Sequence, residues 1–369
     1  MSKPPFRLLH VDSAREYRGG QNQVRALMAG LGRDARLHQE LVAARGSRLA
    51  GAAADMGVVV RPVRWRSATD PGALIGLARA FREPWDAVHA HDSHALQLAL
   101  LARSLVGRPA VLVAARRVDF PTRRPGVWRR ANRILAVSRH IRDVLVRQGI
   151  ERSRIDVVYS GIDPSDLEPR LDGVLRRAAG AGPDQVLVAA AGALVDHKDH
   201  ATFVRAAALV ADRWPDVRFA VFGEGPLRGA LTRLVSEVGL EGRFRLPGEI
   251  AQAARSFGDI DIFVMPSREE GLGTACIEAM IAGVPIVATC AGGLGELAGE
   301  AFCPVEPGQP AALAGQMERL LADASVREAA SARSRVRARA FSAETMVHGT
   351  LQCYAGLAPR SLLSDDSCR

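Results

Sequence analysis

The sequence predicts an α/β protein built from two doubly wound parallel sheets. Short apolar, β-rich runs alternate with longer amphipathic runs along most of the chain, as expected for repeated strand–helix–strand units. The 369 residues exceed the ~250–300 at which a single hydrophobic core stops growing, so we expect two domains. The alternation breaks near residues 165–183 and starts again at residue 186, which predicts two similar halves.

The first half alternates strand and helix candidates. One helical segment, residues 93–106, carries small and apolar side chains along a single face. Because strands and helices alternate, the strands are expected to pair in parallel. The strand candidates are residues 6–11, 38–43, 57–63, 86–90, 109–115, 133–137 and 155–159.

The second half repeats this organisation after a Gly-bearing run, residues 176–183, that we interpret as a linker. From residue 309 onward the pattern predicts helices only, the last over residues 343–356. The strand candidates here are residues 186–194, 217–222, 243–246, 260–265, 284–289 and 301–304.

Composition excludes several classes of protein. Five cysteines, an odd number with no CxxC pair, argue against a disulfide framework or a cysteine-based zinc site and indicate a reducing compartment. No uncharged run approaches the 18 apolar residues of a membrane span. The first apolar run, residues 6–11, is short and interrupted by charge, so it reads as a strand rather than a secretion signal. We therefore expect a cytoplasmic protein.

Positive charge is concentrated in the first half. Residues 1–170 hold 29 Lys+Arg against 16 Asp+Glu, whereas the remainder is mildly acidic. This favours a first domain that meets an anionic surface or substrate, although a solvated arginine-rich surface would give the same count. Only two lysines occur, Lys3 and Lys198. The interior Lys198 is unusual in a chain that otherwise uses arginine, which suggests a task for a compact point charge.

The most informative stretch follows the strand that ends at Pro266. A Gly-bearing loop leads to a helix start near Gly273 or Thr274, where free backbone N–H groups can bind phosphate. Glu270 in the loop and Glu278 in the helix are eight positions apart. Carboxylates repel phosphate but accept hydrogen bonds from sugar hydroxyls. The pair therefore suits the sugars on either side of a diphosphate.

These residues resemble the retaining glycosyltransferases of family 4, which have the GT-B fold. In that group two glutamates, with seven residues between them, follow a strand that ends in Pro-Ser. The second glutamate is the first residue of the pattern E-A-x-x-x-G-x-P. Further segments resemble the family in the same order along most of the chain. They are Tyr17–Gln21, Asp86–His91, Ala136–Ser138, Val158–Asp163, Gly192–Lys198, Phe222–Pro226 and Gly292–Glu296.

The resemblance implies two Rossmann-like domains facing a cleft. Residues 1–170 would bind the acceptor and residues 171–340 the nucleotide sugar. A last helix, residues 341–358, would cross back to the first domain, and residues 359–369 would form a flexible tail. The implied reaction transfers a sugar from a nucleotide diphosphate sugar with retention of configuration, with no cofactor, no essential metal and no enzyme nucleophile.

The resemblance also implies roles for individual residues. Glu278 would bind the donor ribose, Glu270 a hydroxyl of the donor sugar, and Lys198 a donor phosphate. Gly20 would let the backbone of the first domain approach the phosphate without a Cβ. Backbone N–H groups of the donor-binding loop would bind the diphosphate; this loop comprises Gly271, Leu272, Gly273 and Thr274.

One position departs from the family pattern. Ala193 stands where the family usually has an arginine, so one phosphate cation is missing. We take Arg116 as the donor-binding replacement, with Arg117 as the alternative. These two arginines also occupy the place where many relatives carry a histidine near the sugar, so the resemblance does not identify the transferred sugar.

Two other patterns suggest chemistry. His89, His91 and His94 are close in sequence and could be metal ligands, but no cysteine lies nearby and Asp86 and Asp92 are the only close acids. We predict that His91 is one of the catalytic residues and contacts the substrate; the alternative is a structural role. Residues 259–261 spell Asp-Ile-Asp, the metal motif of the other glycosyltransferase fold, but they open an apolar strand. We assign no metal site.

The stretch of residues 121–147 combines eight arginines with apolar residues. It predicts contact with an anionic membrane surface, steering of an anionic acceptor, or no special role. No aromatic interleaving or binding module supports nucleic acid. The apolar residues are Trp128, Ile134, Leu135, Ile141, Val144 and Leu145.

The interpretation is therefore a transferase that uses a nucleotide-sugar donor and a glycan or glycolipid acceptor. The acceptor would be a bacterial cell-surface polysaccharide or lipopolysaccharide, reached at the inner face of the cytoplasmic membrane. Two alternatives are a GT-B sugar-nucleotide epimerase or phosphorylase and a non-catalytic membrane- or partner-binding relative. A dinucleotide-binding dehydrogenase requires G-x-G-x-x-G directly after a strand, and neither Gly19-Gly20 nor Gly223-Glu224-Gly225 has that spacing.

Overall fold

The computed structural model describes residues 5–16, 19–67, 69–107, 111–120, 122, 124–167 and 170–357. These residues form two compact units. Unit 1 contains the chain up to Gly161 together with the last helix, and unit 2 is Ile162–Ser342. Tyr17 and Arg18, the first two residues of the strand predicted at 109–115, and the predicted tail at 359–369 lie outside the described residues.

Unit 1 is built on a seven-stranded parallel sheet in the order β3-β2-β1-β4-β5-β6-β7. Its strands match the candidates predicted from the sequence to within a few residues. They are β1 Phe6–Asp12, β2 Leu37–Ala44, β3 Val59–Val63, β4 Ala87–Ala90, β5 Val111–Arg116, β6 Arg133–Ala136 and β7 Ile155–Val157. Its helices are α1 Gly19–Leu31, α2 Arg48–Asp55, α3 Pro71–Ala80, α4 Ser93–Val106, α5 Pro125–Trp128 and α6 Arg139–Arg147.

Unit 2 is built on a five-stranded parallel sheet in the order β10-β9-β8-β11-β12. Its strands are β8 Val186–Ala191, β9 Val217–Phe222, β10 Phe244–Gly248, β11 Ile262–Met265 and β12 Ile286–Ala288. Its helices are α7 Pro164–Leu167, α8 Val174–Ala179, α9 His200–Ala211, α10 Arg228–Glu237, α11 Thr274–Ile281, α12 Leu294–Ala298, α13 Pro310–Ala322 and α14 Ala324–Ala338.

The last helix, α15 Ala343–Leu357, packs in unit 1. Its Tyr354 is fully buried and stacks on Phe6 of β1 with ring centroids 6.0 Å apart. The hydroxyl of Tyr354 is hydrogen-bonded to Nδ1 of His89 in β4 at 2.6 Å. Met346 and Cys353 are buried in the same apolar cluster. The last segment of the chain is therefore part of the core around its first strand.

Two sequence predictions about unit 2 are wrong. Residues 301–304 form no strand; only the following residue, Val305, makes an isolated bridge, to Thr289. Pro304 has no N–H to donate, which explains why a ladder does not extend here. Residues 176–183 are not a free linker, because Arg176 lies in α8 and its guanidinium forms an ion pair with Asp261, 2.9 Å away.

Each sheet has one point where the strand order reverses. In unit 1 it lies between β1 and β4, and in unit 2 between β8 and β11. The helices that follow the two strands leave on opposite faces there, which opens a crevice at the carboxyl ends of the strands. Ligands of open α/β sheets bind at such points. Most of the residues singled out by the sequence follow these strands.

Candidate functional site

The switch point of unit 2 brings Lys198 and Glu270 together. Lys198 ends the short turn after β8, and Glu270 lies in the loop after β11. Their side chains form an ion pair and are largely buried, with 19% and 15% of their surface exposed. The two loops are also joined through the backbone, since the Arg268 N–H donates to the carbonyl of His197 at 2.8 Å. The predicted cation and the first predicted carboxylate thus share one site.

Glycines allow the neighbouring loops to pack against this pair. A Cβ on Gly223 would lie 2.0 Å from the carbonyl oxygen of Gly192, and one on Gly293 would lie 2.2 Å from that of Gly271. The Gly293 N–H donates to the carbonyl of Glu270 at 2.8 Å. Only a residue without a side chain permits such backbone contact. The loops after β8, β9, β11 and β12 therefore form one packed surface.

The predicted phosphate-binding loop ends at the N-terminus of α11. Gly273 is the N-cap residue, has a φ of 96°, and provides no side chain to accept the first N–H groups of the helix. Leu272 is buried and Thr274 is half-buried. First-turn N–H groups have no partner within the helix, and the helix dipole favours an anion there. The geometry of Gly271 to Thr274 is compatible with anion binding, and the role of this loop stays a prediction.

Glu278 lies in the second turn of α11 and carries the clearest signal. The residue as a whole is half-buried but its carboxylate is removed from solvent, and nothing in the described part of the chain donates a hydrogen bond to it or pairs with it. Burial alone raises the pKa of Glu278 to about 7. A buried, unpaired carboxylate is costly, so it suggests a ligand with hydroxyl groups to donate. The charges of Glu270, Lys198 and Glu278 all act on the buried Cys276 thiol, which shows that they surround one small region.

In unit 1 the switch point holds a buried histidine cluster. His91 follows β4 and is 5% exposed, and its ring lies 4.2 Å from that of His89. The third member is His10 of β1, which the sequence analysis missed, whereas His94 is exposed at the start of α4. The signal was available in principle, because β1 and β4 are neighbours and pair His10 with His89.

The three imidazoles have ligand atoms within 4.8 Å of one another, as a metal site would require. His10 and His91 are hydrogen-bonded to each other at 2.9 Å, which occupies one nitrogen of each ring, whereas Nε2 of His89 has no hydrogen-bond partner among the described residues. The guanidinium of Arg117 lies 3.4 Å from Nδ1 of His91 and would repel a cation. Burial, together with the charges of His89, Arg117 and His10, holds the pKa of His91 well below its usual range.

Arg116 and Arg117 have different environments. Arg116 is 7% exposed, its guanidinium donates to the carbonyl of Phe120, and it lies over the ring of Trp128 at 5.3 Å. These contacts favour a structural role in the loop after β5. Arg117 instead donates to His91 through both terminal nitrogens. Of the two arginines, the structure joins Arg117 to a predicted site residue, and the donor-binding role of Arg116 stays a prediction.

Gly20 lies in the first turn of α1, after the loop that follows β1. A Cβ at this position would meet no atom of the described residues within 4 Å. The space above its backbone is open within unit 1, which is compatible with the close approach of a ligand. Its predicted contact with a donor phosphate remains a prediction.

The Asp259-Ile260-Asp261 pattern has a structural explanation. The two carboxylate oxygens of Asp259 accept the N–H groups of Gly173 and Leu175, each at 3.0 Å. Asp261 accepts from the N–H of Leu187 at 2.7 Å and pairs with Arg176. Both aspartates therefore fix the start of α8 and β8 within unit 2.

The basic stretch of residues 121–147 does not present the apolar surface predicted for it. All six apolar residues proposed for membrane contact are buried in unit 1, so that part of the hypothesis is wrong. They fill the core beneath β6 and α6 because the strand and the amphipathic helix turn their apolar faces inward. Exposed arginines such as Arg129, Arg139 and Arg147 remain. Within the described residues, no helix has the length and apolar content needed to cross a membrane.

Comparison with known proteins gives matches in both units. The model of a family described as Glycosyltransferase Family 4 matches residues 17–166, and that of Glycosyl transferases group 1 matches residues 185–323. Together the two models cover most of the chain.

Curated relatives include a 2-deoxystreptamine glucosyltransferase of Streptomyces kanamyceticus, 32% identical over 203 residues, which are 53% of this chain and 52% of the relative. A D-inositol 3-phosphate glycosyltransferase of Mycolicibacterium smegmatis is 31% identical over 244 residues, 59% of this chain and 55% of the relative. The match thus spans only about half the length of each relative.

Solved structures show the same fold. A protein of Anabaena, Alr3699/HepE, determined in complex with UDP and glucose, superposes with a TM-score of 0.82 at 17% identity, covering 95% of this chain and all of the other. A glycosyltransferase of Rickettsia africae superposes with a TM-score of 0.81 at 16% identity, covering 97% of this chain and all of the other. The fold is that of the GT-B glycosyltransferases.

Proposed function

The chain belongs to the glycosyltransferases of group 1 and family 4, and on that premise we propose that it transfers a sugar from a nucleotide diphosphate sugar to a hydroxyl-bearing acceptor. The observation that carries the proposal is the unpaired, buried Glu278 beside the Lys198–Glu270 pair at the switch point of unit 2. A nucleotide sugar offers hydroxyls that the two carboxylates can accept and a diphosphate that can pair with the cation.

The roles follow from the chemistry of each group. Glu278 accepts the ribose hydroxyls, and Glu270 accepts a hydroxyl of the transferred sugar. Lys198 pairs with Glu270 in this site, and its charge can also stabilise the negative charge that grows on the departing nucleoside diphosphate. The N–H groups that follow Gly271 bind the diphosphate at the start of α11. The loop glycines keep this anion site free of side chains.

The reaction we propose retains the anomeric configuration and needs no metal or cofactor. Lys198 and the α11 N-terminus would supply the charge stabilisation that a divalent cation gives in other transferases. Transfer that is unaffected by EDTA, with a product of the same anomeric configuration as the donor, is the expected result.

The donor is inferred from similar solved structures, and the acceptor from the charge of the chain. The Anabaena structures hold UDP or UDP-glucose, so UDP-glucose is the first donor to test. For the acceptor we propose a glycan or glycolipid of the bacterial cell surface, such as lipopolysaccharide. The excess of basic residues in the first half of the chain supports an anionic acceptor or a peripheral position at the inner face of the cytoplasmic membrane. The arginines that stay exposed in residues 121–147 are the side chains that would make this contact.

The test is thermal stabilisation by UDP-, GDP- and ADP-glucose, with and without EDTA, followed by release of the nucleoside diphosphate. We expect one nucleotide class to raise the melting temperature of the wild type but not of Glu278→Ala. The matched control is Glu237→Ala, which removes an exposed glutamate at the end of α10. Equal stabilisation of the wild type and Glu278→Ala would overturn the site, and stabilisation without turnover would favour a non-catalytic relative.

A further inference from the structure

A chain of hydrogen bonds runs through the core of unit 1 from Arg117 to the backbone of α1. Nη2 of Arg117 lies 3.4 Å from Nδ1 of His91, and Nε2 of His91 lies 2.9 Å from Nδ1 of His10. Nε2 of His10 lies 3.3 Å from Oε1 of Gln39, whose Nε2 donates to the carbonyl of Met28 at 2.8 Å. Four links thus join a guanidinium to a carbonyl.

The two ends of this chain fix its direction. A guanidinium only donates and a carbonyl only accepts, so Nδ1 of His91 must be the acceptor and the amide oxygen of Gln39 must face His10. His91 therefore carries its proton on Nε2 and donates to His10, which carries its own on Nε2 and donates to Gln39. Moving the proton of His91 to Nδ1 would set two donors against each other at Arg117. Moving the proton of His10 to Nδ1 would set two donors against each other between the two rings.

The relay requires both imidazoles to be neutral. Burial is the main reason that the pKa of His10 falls to about 4 and that the pKa of His91 falls well below its usual range. Both rings remain neutral across the physiological range, and the direction of the relay is constant there. A neutral, buried, directional contact suits the task of holding a charged side chain in one orientation.

Arg117 has capacity left for a ligand. Two of its five N–H groups bond His91, one to the ring and one to the carbonyl at 3.1 Å. The other three meet no acceptor in the described ranges of the chain. Asp12 at the end of β1 and Asp92 after β4 lie close enough to act on the charge of Arg117, but neither forms an ion pair with it among the described residues.

This combination indicates the class of ligand. Asp92 already accepts four hydrogen bonds from Ser13, His94 and Ala95, whereas each oxygen of Asp12 accepts one and can accept another. A sugar hydroxyl can accept from Arg117 and donate to Asp12, so a polyhydroxyl group suits both side chains. A phosphate would face two carboxylates and be repelled. We propose that Arg117 contacts the hydroxyls of a neutral part of the acceptor, and that His91, His10 and Gln39 are positioning residues that orient its guanidinium. This rests on the proposed transferase function, and it assigns His91 to positioning rather than to catalysis.

The first arm of the test measures the relay itself. Nitrogen NMR of the histidine-labelled full chain should show His10 and His91 as neutral rings protonated on Nε2. Gln39→Leu should release the constraint on His10, while His94→Phe, a change at an exposed histidine of α4, should leave both rings unchanged. A ring protonated on Nδ1 at either position would overturn the relay, whether or not the protein is a transferase.

The second arm measures binding of three defined polyols, methyl α-glucoside, myo-inositol and octyl β-glucoside, by saturation-transfer NMR. Arg117→Ala and His91→Phe should each weaken binding by about tenfold to a hundredfold, the range for a hydrogen bond to a charged group. His91→Asn, whose side-chain oxygen can replace Nδ1, should recover part of the loss, and His94→Phe should bind as the wild type does.

The outcomes separate this inference from the proposed function. Binding of none of the three polyols by the wild type, or unchanged binding by Arg117→Ala, would overturn the contact at Arg117. Donor stabilisation that depends on Glu278 tests the transferase through unit 2 alone. Cooperative melting of each variant shows whether it is folded, and the partial recovery in His91→Asn distinguishes positioning from loss of the fold.

Discussion

Glu278 should make the binding of the donor depend on pH. Its pKa of about 7 arises from burial and has no compensating partner among the described residues. A hydroxyl donates more strongly to a carboxylate than to a carboxylic acid, so binding requires the ionised form. With this pKa, about nine tenths of the protein is ionised at pH 8 and about one tenth at pH 6. Donor affinity should therefore fall about tenfold between these values.

Calorimetric titration with UDP-glucose measures this fall, since the diphosphate of the intact donor has no proton to lose in this range. Glu278→Gln should bind more weakly, with an affinity that does not change between pH 6 and pH 8. Glu237→Gln, at an exposed position, should keep the dependence of the wild type. An affinity of the wild type that is flat across this range would refute the reasoning, because the ionised carboxylate would then not be the binding form.

The same shift has a consequence for stability without the donor. The pKa of Glu278 rises from 4.5 in the unfolded chain to about 7 in the folded one, so the folded state holds the extra proton between these values. This contribution to the unfolding free energy is complete below pH 4.5 and is lost as the pH rises through 7. It amounts to about 3 kcal/mol. Glu278→Gln should therefore be more stable than the wild type at pH 8, by up to that amount, and equal to it near pH 4.5.

Three further predictions concern unit 2. Lys198→Met should lower donor affinity by about tenfold to a hundredfold, because the anion and Glu270 both lose their cation; unchanged affinity in calorimetric titration would contradict its role. Gly223→Ala should destabilise the chain by several degrees of melting temperature, since its Cβ would strike a backbone oxygen, while Gly229→Ala inside α10 should be neutral or stabilising; similar melting temperatures would contradict the packing. Asp259→Ala should cost about 1–3 kcal/mol in urea unfolding with no change in donor binding, because two N–H groups at the start of α8 lose their acceptor; loss of donor binding in this variant, together with donor binding by the wild type that EDTA abolishes, would favour a metal.

The local sequence pattern was sufficient to predict most of the helices and strands. It was insufficient where contacts between residues distant in sequence determine the structure. The helix predicted at 93–106 agrees with α4, because Asp92 caps its start and Gly107 ends it in a left-handed conformation, both local signals. Residues 176–183 looked like a linker since no nearby periodicity marks them. Their structure comes from Asp259 and Asp261, more than 80 residues away in sequence.

The candidate site divides in the same way. Glu270 and Glu278 could be found because one loop and one helix carry both at a fixed spacing. The neighbouring arginines could not be told apart from sequence, since Arg116 and Arg117 alternate in direction along the end of β5 and only the fold decides which meets His91. His10 was missed for a similar reason: its partner lies on a strand that is adjacent in space but 79 residues further along.

Because α15 completes the core around β1, unit 1 is the first unit whose synthesis starts and the second whose fold can be completed. During synthesis the ribosome produces β1 first, but Phe6 lacks its stacking partner until Tyr354 has left the exit tunnel. Unit 2 is a single continuous segment, Ile162–Ser342, and can close earlier. Part of the apolar surface of unit 1 therefore stays uncovered until the residues up to Tyr354 have been synthesised. A nonsense mutation just before Ala343 would remove no residue of the candidate donor site and would still leave the first strand without its cover.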